Sequence, residues 1–123
     1  MGNIIIKATK HNWGMIRPGG WTATEWFVYD DLTVDVKERY NDPNEENSVV
    51  ETSTTISDRK LKTLVKEIEK AKEKDERVVA RDGVAWEITY YNNDGTESWK
   101  RDCAYIYGIK CLEKFADILE NLK

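Results

Sequence analysis

His11, Cys103 and Cys111 are the residues whose types best suit covalent or metal chemistry, and their spacing argues against it. A nucleophilic thiol needs a base within hydrogen-bond reach. His11 is the sole histidine and falls in a loop beside Trp13; nothing in the sequence brings it to either cysteine. A closed zinc site takes four Cys or His ligands, which one histidine and two cysteines outside a CxxC spacing do not supply. Asp42-x-Asn44-x-Glu46 has the opening rhythm of a calcium loop, without its glycine and closing glutamate. GxSxG, P-loop and GxGxxG patterns are absent, and Pro18-Gly19-Gly20 reads as a turn. No metal or cofactor is therefore expected. With 23 acidic residues some carboxylate pair always lies close, so an enzyme stays open as a reading, with the balance against it.

The elements that would position these residues follow two periodicities. Leu61, Leu64, Val65, Ile68 and Ala71 recur at helical spacing, and sliding them forward by fifty-one positions lands on Leu112, Phe115, Ala116, Leu119 and Leu122. The first helix should run from about Asp58 to Asp75, with Ser57 as its cap and Ile56 as a staple. Its far face, Lys60, Lys62, Lys66, Glu67, Lys70 and Glu73, reads as solvated. The second helix should span about Ile109 to Leu122. Each helix follows an alternating, aromatic-rich hairpin, which suggests a duplicated strand–strand–helix unit.

Strand alternation gives the registers. On a two-residue turn at Asp30-Asp31, Tyr29 faces Leu32, Phe27 faces Val34, Glu25 faces Val36 and Trp21 faces Tyr40, all toward the core. The other side then carries Thr22, Thr24, Trp26, Val28, Thr33, Asp35, Lys37 and Arg39. That turn lacks a glycine, so a longer loop is the competing arrangement, and a slip of one residue would exchange the faces of one strand. Asp94-Gly95 is the stronger turn signal, pairing Tyr90 with Trp99, Ile88 with Arg101, Trp86 with Cys103 and Val84 with Tyr105. Ile4 to Ala8 reads as a first strand, Val78 to Ala80 as a short extra one, and Asn41 to Thr55 as a polar, acidic connection in which Asp42 to Asn47 is mobile. The expected fold is α+β, a single domain over residues 1–123. A four- or five-stranded antiparallel sheet carries two helices on one face, in the order β-ββ-α-ββ-α.

The stretch Asp82-Gly83-Val84-Ala85-Trp86-Glu87-Ile88, with Tyr105-Ile106-Tyr107-Gly108-Ile109-Lys110 and Leu112-Glu113 after the hairpin, resembles small uncharacterised bacterial proteins that end in the same hairpin and helix. The resemblance covers the last third and implies a fold neighbourhood, with no activity to carry over.

Composition narrows the class of partner. With 34% charged residues and no long apolar run there is no membrane-span signal, and no secretory leader is read after Ile4-Ile5-Ile6, so the chain is expected in the cytoplasm. A formal charge of -4 disfavours a polyanion. Two features stand out against that bland surface. Glu25 and Arg101 both point to the apolar side, where they either pair or reach solvent along their stems. Trp13, Met15, Trp26, Val28 and Tyr91 have no expected core to enter, so that face is either covered by neighbouring segments or meets a partner. The leading expectation is a non-catalytic protein-interaction module of the inhibitor, immunity or adaptor kind, with a homodimer left open. The alternatives are a small enzyme or ligand-binding domain near the Gly-rich loop, and a single-strand nucleic-acid binder that stacks bases on Trp26 and Tyr91 beside Lys37, Arg39 and Lys100.

Overall fold

In a computed structural model, the residues described are 3–12, 20–41, 48–73, 84–92, 94–104 and 110–122. Eight elements follow one another: β1 (Ile4–Asn12), β2 (Trp21–Tyr29), β3 (Thr33–Tyr40), β4 (Ser48–Thr55), α1 (Asp58–Glu73), β5 (Val84–Tyr91), β6 (Glu97–Ala104) and α2 (Lys110–Glu120). The strands form one antiparallel sheet in the order β4-β3-β2-β1-β5-β6. The sheet is thus six-stranded rather than four- or five-stranded. The added strand is β4, in the segment read as a polar connection. At the rim of the sheet both of its faces meet solvent, so its β-branched residues carry no inside–outside alternation. Val78 to Ala80 and residues 42–47 lie outside the described residues.

Both helices form where their periodicity predicts. Ser57 caps α1, its Oγ accepting the Lys60 N–H at 3.2 Å, and Ile56 is buried behind it. Leu61, Leu64, Ile68 and Ala71 of α1 join Phe115, Ala116 and Leu119 of α2, with Leu122 just beyond it, in one core cluster with the strands. One position departs from the amphipathic plan. Glu67, read as part of the solvated face, is 3% exposed, with Lys70 Nζ at 3.4 Å and Lys114 Nζ at 4.0 Å from its carboxylate.

The sheet's contribution to that core comes from alternate positions: Ile6, Ala8, Trp26, Val28, Val34, Val36, Trp86 and Ile88. The first hairpin therefore differs from its expected register, except at its far end, where a register shift brings Trp21 opposite Tyr40 as expected. Val28 pairs with Val34 and Trp26 with Val36, so β2 turns Trp26 and Val28 inward and Glu25 and Phe27 outward. The cause is the turn. Asp30, Asp31 and Leu32 form a three-residue loop in which Leu32 takes φ 70°, the left-handed conformation that a loop of this length places at its third residue. One extra loop residue exchanges the faces of one strand.

The second hairpin uses the same device. The Asn92 N–H donates to the Thr96 carbonyl, and Gly95 takes φ 87°, so Asp94 and Gly95 match Asp31 and Leu32. In both loops the aspartate before the left-handed residue accepts from the backbone N–H and the hydroxyl of the threonine after it: Asp31 from Thr33 and Asp94 from Thr96. Tyr90 pairs with Trp99 and Ile88 with Arg101, as expected, but the hairpin closes at Asn92 and Thr96 rather than on a two-residue Asp94-Gly95 turn, and a register shift between Tyr90 and Tyr91 puts Tyr91 opposite Glu97. Between Ile88 and Trp86 another register shift moves Trp86 opposite Ala104 rather than Cys103.

At the middle of the sheet, Trp26 of β2 and Trp86 of β5 stack with ring centroids 5.2 Å apart and planes 6° from parallel. Their strands are separated by β1, roughly 9.6 Å across two strand spacings. Trp26 stands opposite Ala8 and Trp86 opposite Lys10, so the rings meet diagonally across β1 beside the small Ala8 side chain. Ala8→Leu should therefore destabilise the fold by about 1–3 kcal/mol through overpacking, read as a lower midpoint in chemical denaturation. A wild-type midpoint would show that the indoles leave room above Ala8.

The Asp94 carboxylate titrates below the usual range, chiefly because the Thr96 hydroxyl and then the Thr96 N–H donate to it. A folded pKa lower than the unfolded one makes the turn's contribution complete above the unfolded value, about pH 3.9, and lost as pH falls through the folded value. In an NMR titration, Thr96→Ala should raise the Asp94 midpoint toward the ordinary value. An unmoved midpoint would assign the shift elsewhere.

Candidate functional site

The face of the sheet away from the helices carries the polar side chains, in rows set by register. One row runs Ser53, Asp35, Phe27, Lys7, Thr89, Lys100, and the next Glu51, Lys37, Glu25, Thr9, Glu87. Phe27 lies between two cations, the Lys7 and Lys37 ammoniums each 5.5 Å from its ring centroid. Asp35 accepts from the Tyr29 hydroxyl at 3.1 Å and the Ser53 hydroxyl at 2.7 Å. Burial, reinforced by Asp35, pushes the Tyr29 phenol above its ordinary value.

Charge on this face is paired within it. Arg39 Nε donates to Glu25 Oε1 at 3.1 Å, Lys37 Nζ stands 3.7 Å from Glu51, and His11 Nε2 stands 3.7 Å from Glu87. The cations Lys7, Lys37, Arg39 and Lys100 stand among the carboxylates Glu25, Asp35, Glu51 and Glu87, with Glu97 opposite Tyr91 beyond them. A face so mixed in sign has little long-range pull on a charged ligand.

The residues singled out from sequence are dispersed. Trp26 is 3% exposed and Val28 is fully buried, so neither can meet a partner; both entered the core when the loop reversed β2. Tyr91 stays half-buried at the end of β5, alternating with Tyr90 and so on the open face. Trp13 and Met15 lie outside the described residues. Glu25 points to the open face and is held by Arg39; Arg101 lies on β6, with β1 and β5 between their strands, and its side chain is outside the described residues. Cys103 lies on β6 and Cys111 on α2, their side chains likewise outside. Among the described residues no group of three or more His, Cys, Asp or Glu converges to hold a metal, and no helix is long and apolar enough to cross a membrane.

Sequence reasoning passed over the surface least explained by the fold. Among the described residues, the large hydrophobic side chains left exposed are Val49 and Val50, at 40% and 47%, and both belong to β4. The strand pairs with β3 from Ser48 to Thr55 without a register shift, and among the described residues its other edge meets no further strand. From Val49 to Thr55 only Thr54 is less than exposed; its hydroxyl donates to the Leu122 carbonyl at 3.4 Å, where the chain leaves α2. The signal in the sequence was the β-branched run Val49-Val50-x-Thr52-x-Thr54-Thr55, which suits a strand on its residue types alone.

The other described rim, β6, is built differently. It carries Lys100, Arg101 and Asp102 in succession, and its pairing with β5 is interrupted by register shifts. Charges and irregularities of this kind keep a strand edge from pairing with another chain. The β4 edge holds one charge, Glu51, and no proline.

Compared with protein-family models, with curated proteins and with solved structures, the chain matches none. The site's own geometry is what a functional reading rests on.

These placements separate two substitutions sharply. Trp26→Ala should lower stability by about 3–5 kcal/mol in chemical denaturation, since it empties the indole stack. Val50→Lys should change it by less than about 0.5 kcal/mol, because that side chain is already half in solvent. Equal effects would mean that β4 is packed against another segment.

Proposed function

We propose that this chain is a non-catalytic protein-interaction module of the cytoplasm whose contact element is the free edge of β4. The supporting observation is a regular eight-residue rim strand that exposes Val49 and Val50 and lacks the charges and irregularities borne by the opposite rim. A strand edge offers unpaired N–H and C=O groups, and an extended segment of another polypeptide can add to it, gaining affinity from main-chain hydrogen bonds and specificity from alternate side chains.

The ligand-binding reading drew on a Glu25–Arg101 pair, and Glu25 is engaged by Arg39 instead. Nucleic-acid stacking drew on Trp26, which lies in the core; Phe27 takes its place on the open face, but that face mixes carboxylates with its cations. Neither alternative has an observation that favours it over the edge.

The test is affinity capture from the native host's lysate, using the wild-type chain and a Val49→Lys, Val50→Lys double variant as baits. The variant should keep the wild-type melting temperature and lose the specifically captured protein. Undiminished capture at unchanged melting would remove β4 as the contact element.

A further inference from the structure

Resting on that reading, we infer that the strand added to β4 is β4 of a second copy, joined antiparallel about a two-fold axis, so that two six-stranded sheets become one. The inference comes from what the edge presents to itself. A two-fold axis normal to the sheet keeps both helix layers on one side and places positions of like parity opposite each other, since facing residues of an antiparallel pair point to the same side. Two such registers overlap most of β4. In one, Glu51 faces Glu51 of the other copy, a like-charge contact that destabilises a strand pair. In the other, Thr52 sits on the axis, Glu51 faces Ser53, Val50 faces Thr54 and Val49 faces Thr55.

The second register answers the two features the monomer leaves unexplained. Val50 lies on the helix side, in the row of Glu38 and Thr24. In this register it comes against Thr54 of the other copy, the one β4 position engaged by the end of α2. Val49, on the open face, is covered by Thr55. Both exposed valines are then shielded, while each Glu51 stays beside its own Lys37. The β6 rim, with its run of charges and its register shifts, offers no comparable self-match.

Two physical consequences follow. A single strand-edge contact is smaller than the roughly 1,600 Å² of a standard interface, so the dimer should dissociate on dilution. Each copy carries a formal charge of -4, so added salt should tighten the association by screening the repulsion between copies.

The test uses the full chain in sedimentation equilibrium over a range of concentration and salt, beside oxidative cross-linking with peptide mapping. The wild type should pass from the 14.3 kDa monomer to twice that mass as concentration rises, more readily at high salt. Val50→Lys should remain monomeric with its melting temperature unchanged. Thr52→Cys should cross-link to itself through position 52, and Glu51→Cys should do so at least tenfold less. A wild-type monomer at every concentration would overturn the inference, as would a dimer indifferent to Val50→Lys or a cross-link that favours position 51. If the chain is monomeric while lysate capture still depends on Val49 and Val50, the second copy fails as the partner and the edge as a contact element stands. If both tests fail, the interaction reading falls with the inference.

Discussion

The core of this sheet is organised around two indoles that meet across its middle strand. Trp26 and Trp86 come from strands that flank β1, opposite Ala8 and Lys10 respectively, and their rings close to 5.2 Å across it beside the small Ala8 side chain. Once Trp26 is inside, alternation sends Val28 inside with it and turns Glu25 and Phe27 out. The same assignment decides which face the helices cover, because Leu64 and Phe115 belong to the cluster that holds Trp26 and Trp86. The arrangement is not free of strain in its polar bookkeeping: Trp86 Nε1 is buried with no hydrogen-bond partner among the described residues. An unpaired indole N–H of this kind costs about 1–3 kcal/mol, less than the burial of two stacked tryptophans returns.

How far this was legible in the sequence can be followed element by element. The helices were, because one apolar stripe fits each and Ser57 sits where a cap is needed. The second hairpin was legible in its glycine turn and in the pairs Tyr90–Trp99 and Ile88–Arg101, while the shift beside the turn that sets Tyr91 against Glu97 was not. The first was not, since Trp21 to Tyr29 is apolar or aromatic on both faces and the positive φ falls on Leu32, whose type gives no hint of it. The legible clue was the pairing of Asp31 with Thr33, the same side-chain turn that Asp94 and Thr96 make in the other hairpin. Reading the two loops against each other yields the three-residue turn, and with it the correct face.

The candidate site was hidden for a different physical reason. Periodicity reports a boundary between core and solvent, and β4 has solvent on both faces over most of its length. Its polar threonines and serines looked like a connection, and only their β-branched character argued for a strand. Glu67 misled in the opposite sense: a charge at a helical position predicted to face water lies buried, with the Lys70 and Lys114 ammoniums beside its carboxylate. In both cases the tertiary partner decided the outcome, and sequence spacing could not supply the partner.

A search for reactive side chains was bound to return little from a molecule arranged this way. Carboxylates and cations pair across the open face, as Arg39 with Glu25 and Lys37 with Glu51 illustrate, and the two stacked indoles lie in the core. Among the described residues the outer edge of β4 is left unpaired, its hydrogen-bonding groups in a regular row beside two exposed valines. Main-chain groups are the same in every protein, so no motif can advertise them. Their selectivity lies in register, in where the lone Glu51 falls and in which threonines a valine meets, and register is a property of the folded sheet rather than of any residue type.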